Sequence, residues 1–252
     1  MNQLDTIFQL KRAQVAEDKK TQSIDFFIEN FNQKRNSGNF FNTLDSNRNN
    51  FKIIAETKKG SPSAGIIKDQ YDPLSIAKSY KEKGYKNISV LTESHHFYGV
   101  NSDLTKIALN TNLKVLRKDF IFDEWQIYES KYIGADCILL IAEYLSEAQI
   151  SAFIKLAKSL DIDVLLEFHE EQELNKVLNQ ELDHIGINNR NLKTLQTDHM
   201  HALKLYNKYR NDFQRFSIIA ESGLSNSEDL EIYQNEGINK FLIGEGILKG
   251  LL

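Results

Sequence analysis

Glu56 and Lys58 stand at the end of the apolar run Ile53-Ile54-Ala55, and the turn Ser61-Pro62-Ser63 follows at once. A carboxylate and an ammonium this close can steer a proton, and a serine-rich turn can meet an anion. The segment therefore suits acid/base work on a negatively charged small molecule. The pattern recurs along the chain. Thr92-Glu93, Arg117-Lys118-Asp119, Glu167, Asn188-Asn189-Arg190, Glu221-Ser222-Gly223 and Gly244-Glu245-Gly246 each close an apolar run. A charge that is dry and unpaired is costly, so this many polar run ends imply one shared polar site. Taken singly, Glu93 and Glu221 read as groups that pair with a neighbour, because structural ion-pair networks also hold charges in place.

The elements that must position these residues follow from the alternation of short apolar runs with amphipathic stretches after residue 51. Strands are predicted at Lys52–Glu56, Ile88–Thr92, Lys114–Lys118, Cys137–Ala142, Val164–Glu167, His184–Asn188, Ser217–Glu221 and Phe241–Gly244. Most are continuously apolar, as befits strands covered on both faces. The crossovers carry helix signals. Asp72-Pro73 reads as an N-cap with proline at the first helical position, and Ser146…Gln149 and Ser225…Glu228 have capping-box spacing. Gly84, Gly134 and Gly237 sit where helices must end. Ile150, Phe153, Ile154 and Ala157 form one helical stripe. Eight β/α units without a composition break make a (β/α)8 TIM barrel the simplest answer, with an open doubly wound sheet as the alternative, and 252 residues is an ordinary length for a barrel. The whole chain, 1–252, is read as a single domain with residues 1–50 as an N-terminal helical extension and loop.

In that extension Leu4, Ile7, Phe8, Leu10, Lys11 and Val15 suggest one amphipathic helix and Phe26-Phe27-Ile28 a second. Asn36–Asn50 reads as a polar loop broken by Phe40, Phe41 and Leu44, with two equal readings: the loop tucks against the barrel mouth, or it is a surface linker of biased composition.

Active faces of barrels lie at the carboxyl ends of the strands, and phosphate commonly binds after strands seven and eight. Ser222-Gly223 and Gly244-Glu245-Gly246 fall there, where backbone N–H groups and a helix start can hold an oxyanion. Other chemistries are disfavoured. His95-His96 point apart and lack a third zinc ligand. Ser63 and Ser222 have no His and acid arranged for nucleophilic attack. Cys137 lies within an apolar run and reads as a small buried hydrophobe. The net charge of −4 with scattered Lys and Arg argues against nucleic acid. Charge begins too soon at the amino terminus for a secretory signal, and no run approaches the roughly 20 apolar residues of a membrane span. A reducing cytoplasm is expected.

With these residues assembled, the chain resembles the indole-3-glycerol phosphate synthase family over essentially its whole length. Glu56-Thr57-Lys58 leading into Ser61-Pro62-Ser63 is similar to the family's Glu-x-Lys-x-x-Ser-Pro-Ser signature. Leu91-Thr92-Glu93, Leu116 to Phe120, Leu139 to Ile141, Leu165 to Glu167, Ile185 to Arg190, Ala220 to Gly223 and Phe241 to Gly244 follow in family order. The resemblance implies a cofactor-free carboxy-lyase of tryptophan biosynthesis, acting on a phosphorylated substrate. It implies Lys118 as general acid, Glu167 as general base, and Glu56, Asn188 and Ser222 completing the catalytic set. Lys58 and Arg190 would meet the substrate carboxylate, with Lys58 also a proton donor in the later step. Ser61, Ser222, Gly223, Gly244 and Glu245 would cradle phosphate, Glu245 through its N–H. Gly60 departs from the pattern, standing where some relatives carry lysine, so a phosphate contact is expected to be lost. Gly246 replaces a common serine. The last helix is expected to be short. A monomer or weak homodimer is expected. A phosphoribosylanthranilate isomerase-like barrel is the alternative enzyme, but its Cys and Asp pair is not matched by Cys137, which begins a strand. A non-catalytic phosphate-binding barrel is the other alternative, and it would have lost some of these charges.

Overall fold

The computed structural model describes residues 3–31, 38–45, 50–61, 65–66 and 70–248. Eight parallel strands close into a barrel: β1 Lys52–Thr57, β2 Asn87–Leu91, β3 Lys114–Lys118, β4 Cys137–Ile141, β5 Asp163–Phe168, β6 His184–Asn188, β7 Ser217–Glu221 and β8 Lys240–Ile243. Each is hydrogen-bonded to its sequence neighbours, and β1 pairs with both β2 and β8. The TIM barrel read from the sequence is the observed fold, with strand limits displaced by no more than a residue at either end.

Side chains alternate across a strand, and here the alternation sorts two cores. Ile53, Ala55, Val115, Ile138, Leu140, Val164, Leu166, Ile185, Ile187 and Phe241 face outward and pack beneath the helices. Ile54, Leu116, Leu139, Leu165, Ile219 and Leu242 share a separate cluster inside the barrel. Stepping two residues further along β1, β3, β5 and β7 from this layer reaches Glu56, Lys118, Glu167 and Glu221. The sequence thus changes from aliphatic to ionised at one level of the interior.

The outer helices are α4 Pro73–Glu82, α5 Asn101–Asn110, α6 Glu124–Ile133, α7 Glu147–Ser159, α8 Leu174–Leu178, α9 His201–Lys208 and α10 Ser227–Asn235, and the short α11 Glu245–Leu248 follows β8. Asp72 caps α4 with Pro73 in its first turn, Gly134 ends α6 in the left-handed conformation, and Ser146 and Gln149 complete a capping box on α7. The stripe Ile150, Phe153, Ile154 and Ala157 is buried. One cap differs from expectation. Asn226, not Ser225, starts α10, its side chain accepting from the Asp229 N–H at 2.9 Å. Asn is as good an N-cap as Ser, so adjacent candidates compete and local geometry selects one.

The extension forms α1 Gln3–Thr21, α2 Ile24–Glu29 and α3 Phe40–Asp45. α1 lies over the carboxyl end of the barrel. Its Leu4, Ile7 and Phe8 join the interior cluster, Phe8 stacks on Tyr144 at 4.7 Å, and the buried Lys11 pairs with Asp119 at 2.7 Å. α2 packs against α6, with Phe27 edge-on to Trp125 at 5.1 Å. α3 corrects the expectation for Asn36–Asn50: residues 40–45 are helical, and they plug the opposite, amino end of the barrel rather than its mouth. The Phe40 N–H donates to Asp163 Oδ2 at 2.6 Å, Asn87 Nδ2 donates to the Phe40 carbonyl at 2.8 Å, and Phe41 stacks on His184 at 4.0 Å. Asp163, Asn87 and His184 are all first residues of strands. Residues 36–37 and 46–49 of that stretch lie outside the described residues.

Candidate active site

Between α1 and the carboxyl ends of the strands lies a cavity of about 440 Å³, lined by Glu56, Lys58, Ser61, Lys118, Glu167, Asn188, Arg190, Ser222, Gly223 and Gly244 among others. The structure therefore gathers ten of the sequence-derived candidates in one chamber. Glu245 opens α11 beside Gly244, and its side chain lies outside the described residues, as does Ser63.

Lys118 sits at the centre of the charge pattern. Its ammonium is 2.8 Å from Glu221 Oε2 and 3.3 Å from Glu167 Oε2, with 20 % of the side chain still open to the cavity. Burial works to lower its pKa, but the carboxylates of Glu167, Glu221 and Glu56 outweigh burial and raise it well above the usual lysine value, so the group stays protonated. Glu167 also accepts from Asn188 Nδ2 at 3.1 Å, and Asn188 Oδ1 accepts the Arg190 N–H at 2.9 Å. One hydrogen-bonded chain thus runs from β3 through β5 to the loop after β6.

Glu221, which by its sequence context alone is an ordinary ion-pair partner, belongs to this central cluster. It is fully buried, and its pKa is pushed up to about 8, first by burial and then by nearby Glu167, against the pull of Lys118. Oε1 has no hydrogen-bond partner among the described residues. A side chain on Gly186 would place its Cβ only 2.3 Å from that oxygen, so the glycine of β6 makes room for the carboxyl. The signal was available: Glu221 follows Ile219 by the same two-residue step that links Leu165 to Glu167. Glu93, by contrast, keeps its structural reading. Its two oxygens accept the N–H groups of His95, His96 and Phe97 at 2.8 to 2.9 Å and fix the loop after β2.

On β1, Glu56 accepts from Lys58 Nζ at 2.7 Å. Burial favours the neutral acid, but Lys58, Lys118 and Arg190 prevail and hold the carboxyl below its usual pKa. Two differently tuned carboxyls, Glu56 ionised and Glu221 inclined to hold a proton, therefore share a single lysine neighbour.

Across the cavity, Ser222 and Gly223 adopt left-handed φ values of 66° and 74°. Serine enters that region at a cost, and the Ser222 carbonyl is held by Asn189 Nδ2 at 3.0 Å. Gly60 has a steric explanation for its departure from a lysine. It pairs with Ile66 in a short ladder, and a Cβ there would lie 2.4 Å from the Gly65 carbonyl and 2.8 Å from the Tyr98 ring. The remaining wall is apolar, including Leu4, Phe97, Phe120, Leu139 and Ile141. The chamber can thus take a flat apolar body between a cationic side and a glycine-rich turn. Cys137 is buried below it, and burial raises its thiol pKa, as expected of an inert core residue.

Residues 4–250 match the family model described as indole-3-glycerol phosphate synthase. Among curated proteins, the indole-3-glycerol phosphate synthase of Acetivibrio thermocellus is 42 % identical over 251 residues, covering 98 % of this chain and 94 % of that protein. The protein of that name from Campylobacter jejuni subsp. doylei is 46 % identical over 198 residues, 79 % of this chain and 76 % of its own. That of Prochlorococcus marinus subsp. pastoris is 38 % identical over 251 residues, 98 % of this chain and 85 % of its own.

Proposed function

The chain belongs to the indole-3-glycerol phosphate synthase family, and from that premise we propose how its cavity divides the work of closing an indole ring. The activity is that of a carboxy-lyase of tryptophan biosynthesis. 1-(2-Carboxyphenylamino)-1-deoxyribulose 5-phosphate closes its ring, loses carbon dioxide and water, and becomes indole-3-glycerol phosphate. The chemistry asks for a proton donor at the ketone, a base and an acid for dehydration, and partners for two anionic ends.

Lys118 is the general acid: it is cationic, hydrogen-bonded from two sides and open to the cavity. The ring carbon that bears the carboxylate attacks the ketone while Lys118 stabilises the developing alkoxide and delivers its proton. Carbon dioxide then leaves, restoring the electron pair to the ring. Glu167 takes the proton whose loss accompanies expulsion of the hydroxyl as water. Glu56 and Asn188 orient the ring and the departing group, with Ser222 beside them, and Lys58 assists dehydration. Arg190 and Lys58 meet the carboxylate, while Ser61, Ser222, Gly223, Gly244 and the Glu245 N–H cradle phosphate. The reading extends to one barrel domain with its amino-terminal extension, working without a cofactor or nucleic acid in the cytoplasm as a monomer or weak homodimer. Among the described residues no helix is long and apolar enough to cross a membrane.

The observation that carries this division is Lys118 held between Glu167 and Glu221 in the same cavity as Asn188 and Arg190. Arg190→Gln tests the carboxylate end: KM for the substrate should rise at least about tenfold, the value of one charged hydrogen-bonded contact, followed by indole fluorescence. An unchanged KM would remove Arg190 from the site.

A further inference from the structure

Behind Glu167, on the side away from the cavity, lies a polar cluster that the reaction does not use directly. His169 follows the β5 strand and is 9 % exposed. Its Nδ1 lies 2.7 Å from the Asn188 carbonyl, which can only accept, so Nδ1 carries the proton. Nε2 is then the acceptor for Asn191 Nδ2 at 3.2 Å. The Asn191 amide cannot simply turn over, because its Oδ1 already accepts the N–H groups of Lys193 at 2.8 Å and Thr194 at 2.9 Å. The backbone of His169 is pinned as well. Its N–H donates to Glu143 Oε1 at 2.6 Å, and His201 stacks on its ring at 4.0 Å while bonding its carbonyl through Nε2 at 2.8 Å.

We propose that His169 is a positioning residue: as a neutral imidazole protonated on Nδ1 it holds the loop after β6 so that Asn188 and Arg190 face the substrate, and its protonation loosens that hold. The inference rests on the binding roles given above to Asn188 and Arg190. An imidazolium would aim Nε2–H at the Asn191 N–H, replacing an attraction with a donor–donor contact. Straightening the contact would cost the loop its Lys193 and Thr194 bonds. Around the ring, His201 on α9 opposes a second positive charge, whereas Glu167 and Glu170 favour it. Glu143, after β4, bonds the adjoining backbone, and Lys193 partly offsets Glu170 at 3.4 Å. Burial and His201 prevail over the Asn188 carbonyl and the carboxylates, leaving the imidazole below its ordinary pKa and neutral at physiological pH.

The test compares full-length wild type, His169→Ala and His169→Asn by kcat and KM from about pH 5.5 to 8.5. Asparagine places an amide N–H near the Nδ1 position but does not titrate. At about pH 8, His169→Ala should raise KM at least about tenfold, and His169→Asn should recover most of that loss. As pH falls, the wild-type KM should climb relative to that of His169→Asn. Ionisation of the substrate phosphate is common to both and drops out of the ratio. Parallel KM profiles for wild type and His169→Asn would overturn the proposal, as would an unchanged KM in a folded His169→Ala. If His169→Ala is unfolded by far-UV circular dichroism, the profile of His169→Asn decides. Failure of the site reading itself is distinguishable, because it would show as an unchanged KM in Arg190→Gln whatever His169 does.

Discussion

The two ends of the barrel are both closed by the same amino-terminal extension, yet they are closed in opposite ways. At the amino end, Phe40, Phe41 and Leu44 of α3 are buried against the first residues of the strands, and the side chains of Asp163 and Asn87 bond the Phe40 backbone. At the carboxyl end, α1 sets Leu4 and Phe8 over the rim but leaves a cavity of about 440 Å³ beneath. Its anchor is an ion pair, Lys11 with Asp119, and Asp119 is shared with Arg117 at 3.2 Å and Thr92 at 2.7 Å. A plug need only exclude water, which aliphatic and aromatic groups do best. A cover over charged reactants must tolerate polarity at its edge, and a paired charge fixes its position without filling the chamber.

This contrast can be broken at either end. Lys118→Ala should reduce kcat by about 10²- to 10⁴-fold, the range for loss of a general acid, and should also lower thermal stability, because the buried Glu167 and Glu221 lose their shared cation. Near-normal turnover would end its assigned role. Lys11→Met keeps the length of the side chain but leaves Asp119 short of one partner. It should cost about 3 kcal/mol in urea unfolding and raise KM as α1 loses its seat. Leu44→Ala, fully buried in the plug, should cost about 2–4 kcal/mol while kcat stays within about twofold, since Leu44 does not line the cavity. A large loss of kcat there would show that the two ends are coupled.

A further effect concerns pH. Glu221 has a folded pKa raised to about 8 from an ordinary value of 4.5, so the folded chain binds more protons than the unfolded chain between these values. Its contribution to stability is therefore full below about pH 4.5 and lost as pH rises through 8. In Glu221→Gln that decline should disappear, making the variant's unfolding free energy flatter than wild type between pH 5 and pH 8 by denaturant titration. Identical slopes would mean that Glu221 is not the group that holds the proton.

How far the sequence could be read depended on the range of the force involved. Strand β3 ends at Lys118, β6 at Asn188 and the α7 capping box at Ser146 and Gln149, all as the local pattern predicts. These features rest on alternation, caps and charge at a strand end, which act within a few residues. Glu221 was recognisable as a polar strand end but not as part of the central cluster, because its partner Lys118 is 103 residues away. The cap of α10 moved one residue, from Ser225 to Asn226, because neighbouring caps of similar strength are separated only by backbone geometry.

The sequence by itself determined the eight strands and the polar groups that end them, because aliphatic and ionisable residues at alternating positions cannot exchange faces without burying charge. Tertiary structure alone decided that α3 closes the amino end and α1 the carboxyl end, since neither the short α3 nor the long amphipathic α1 carries a local mark of where it docks. It also decided the protonation of the cluster. Lys118 is held cationic and Glu221 inclined to stay neutral by burial and by charges brought from other strands, and those distances exist only once the barrel has closed.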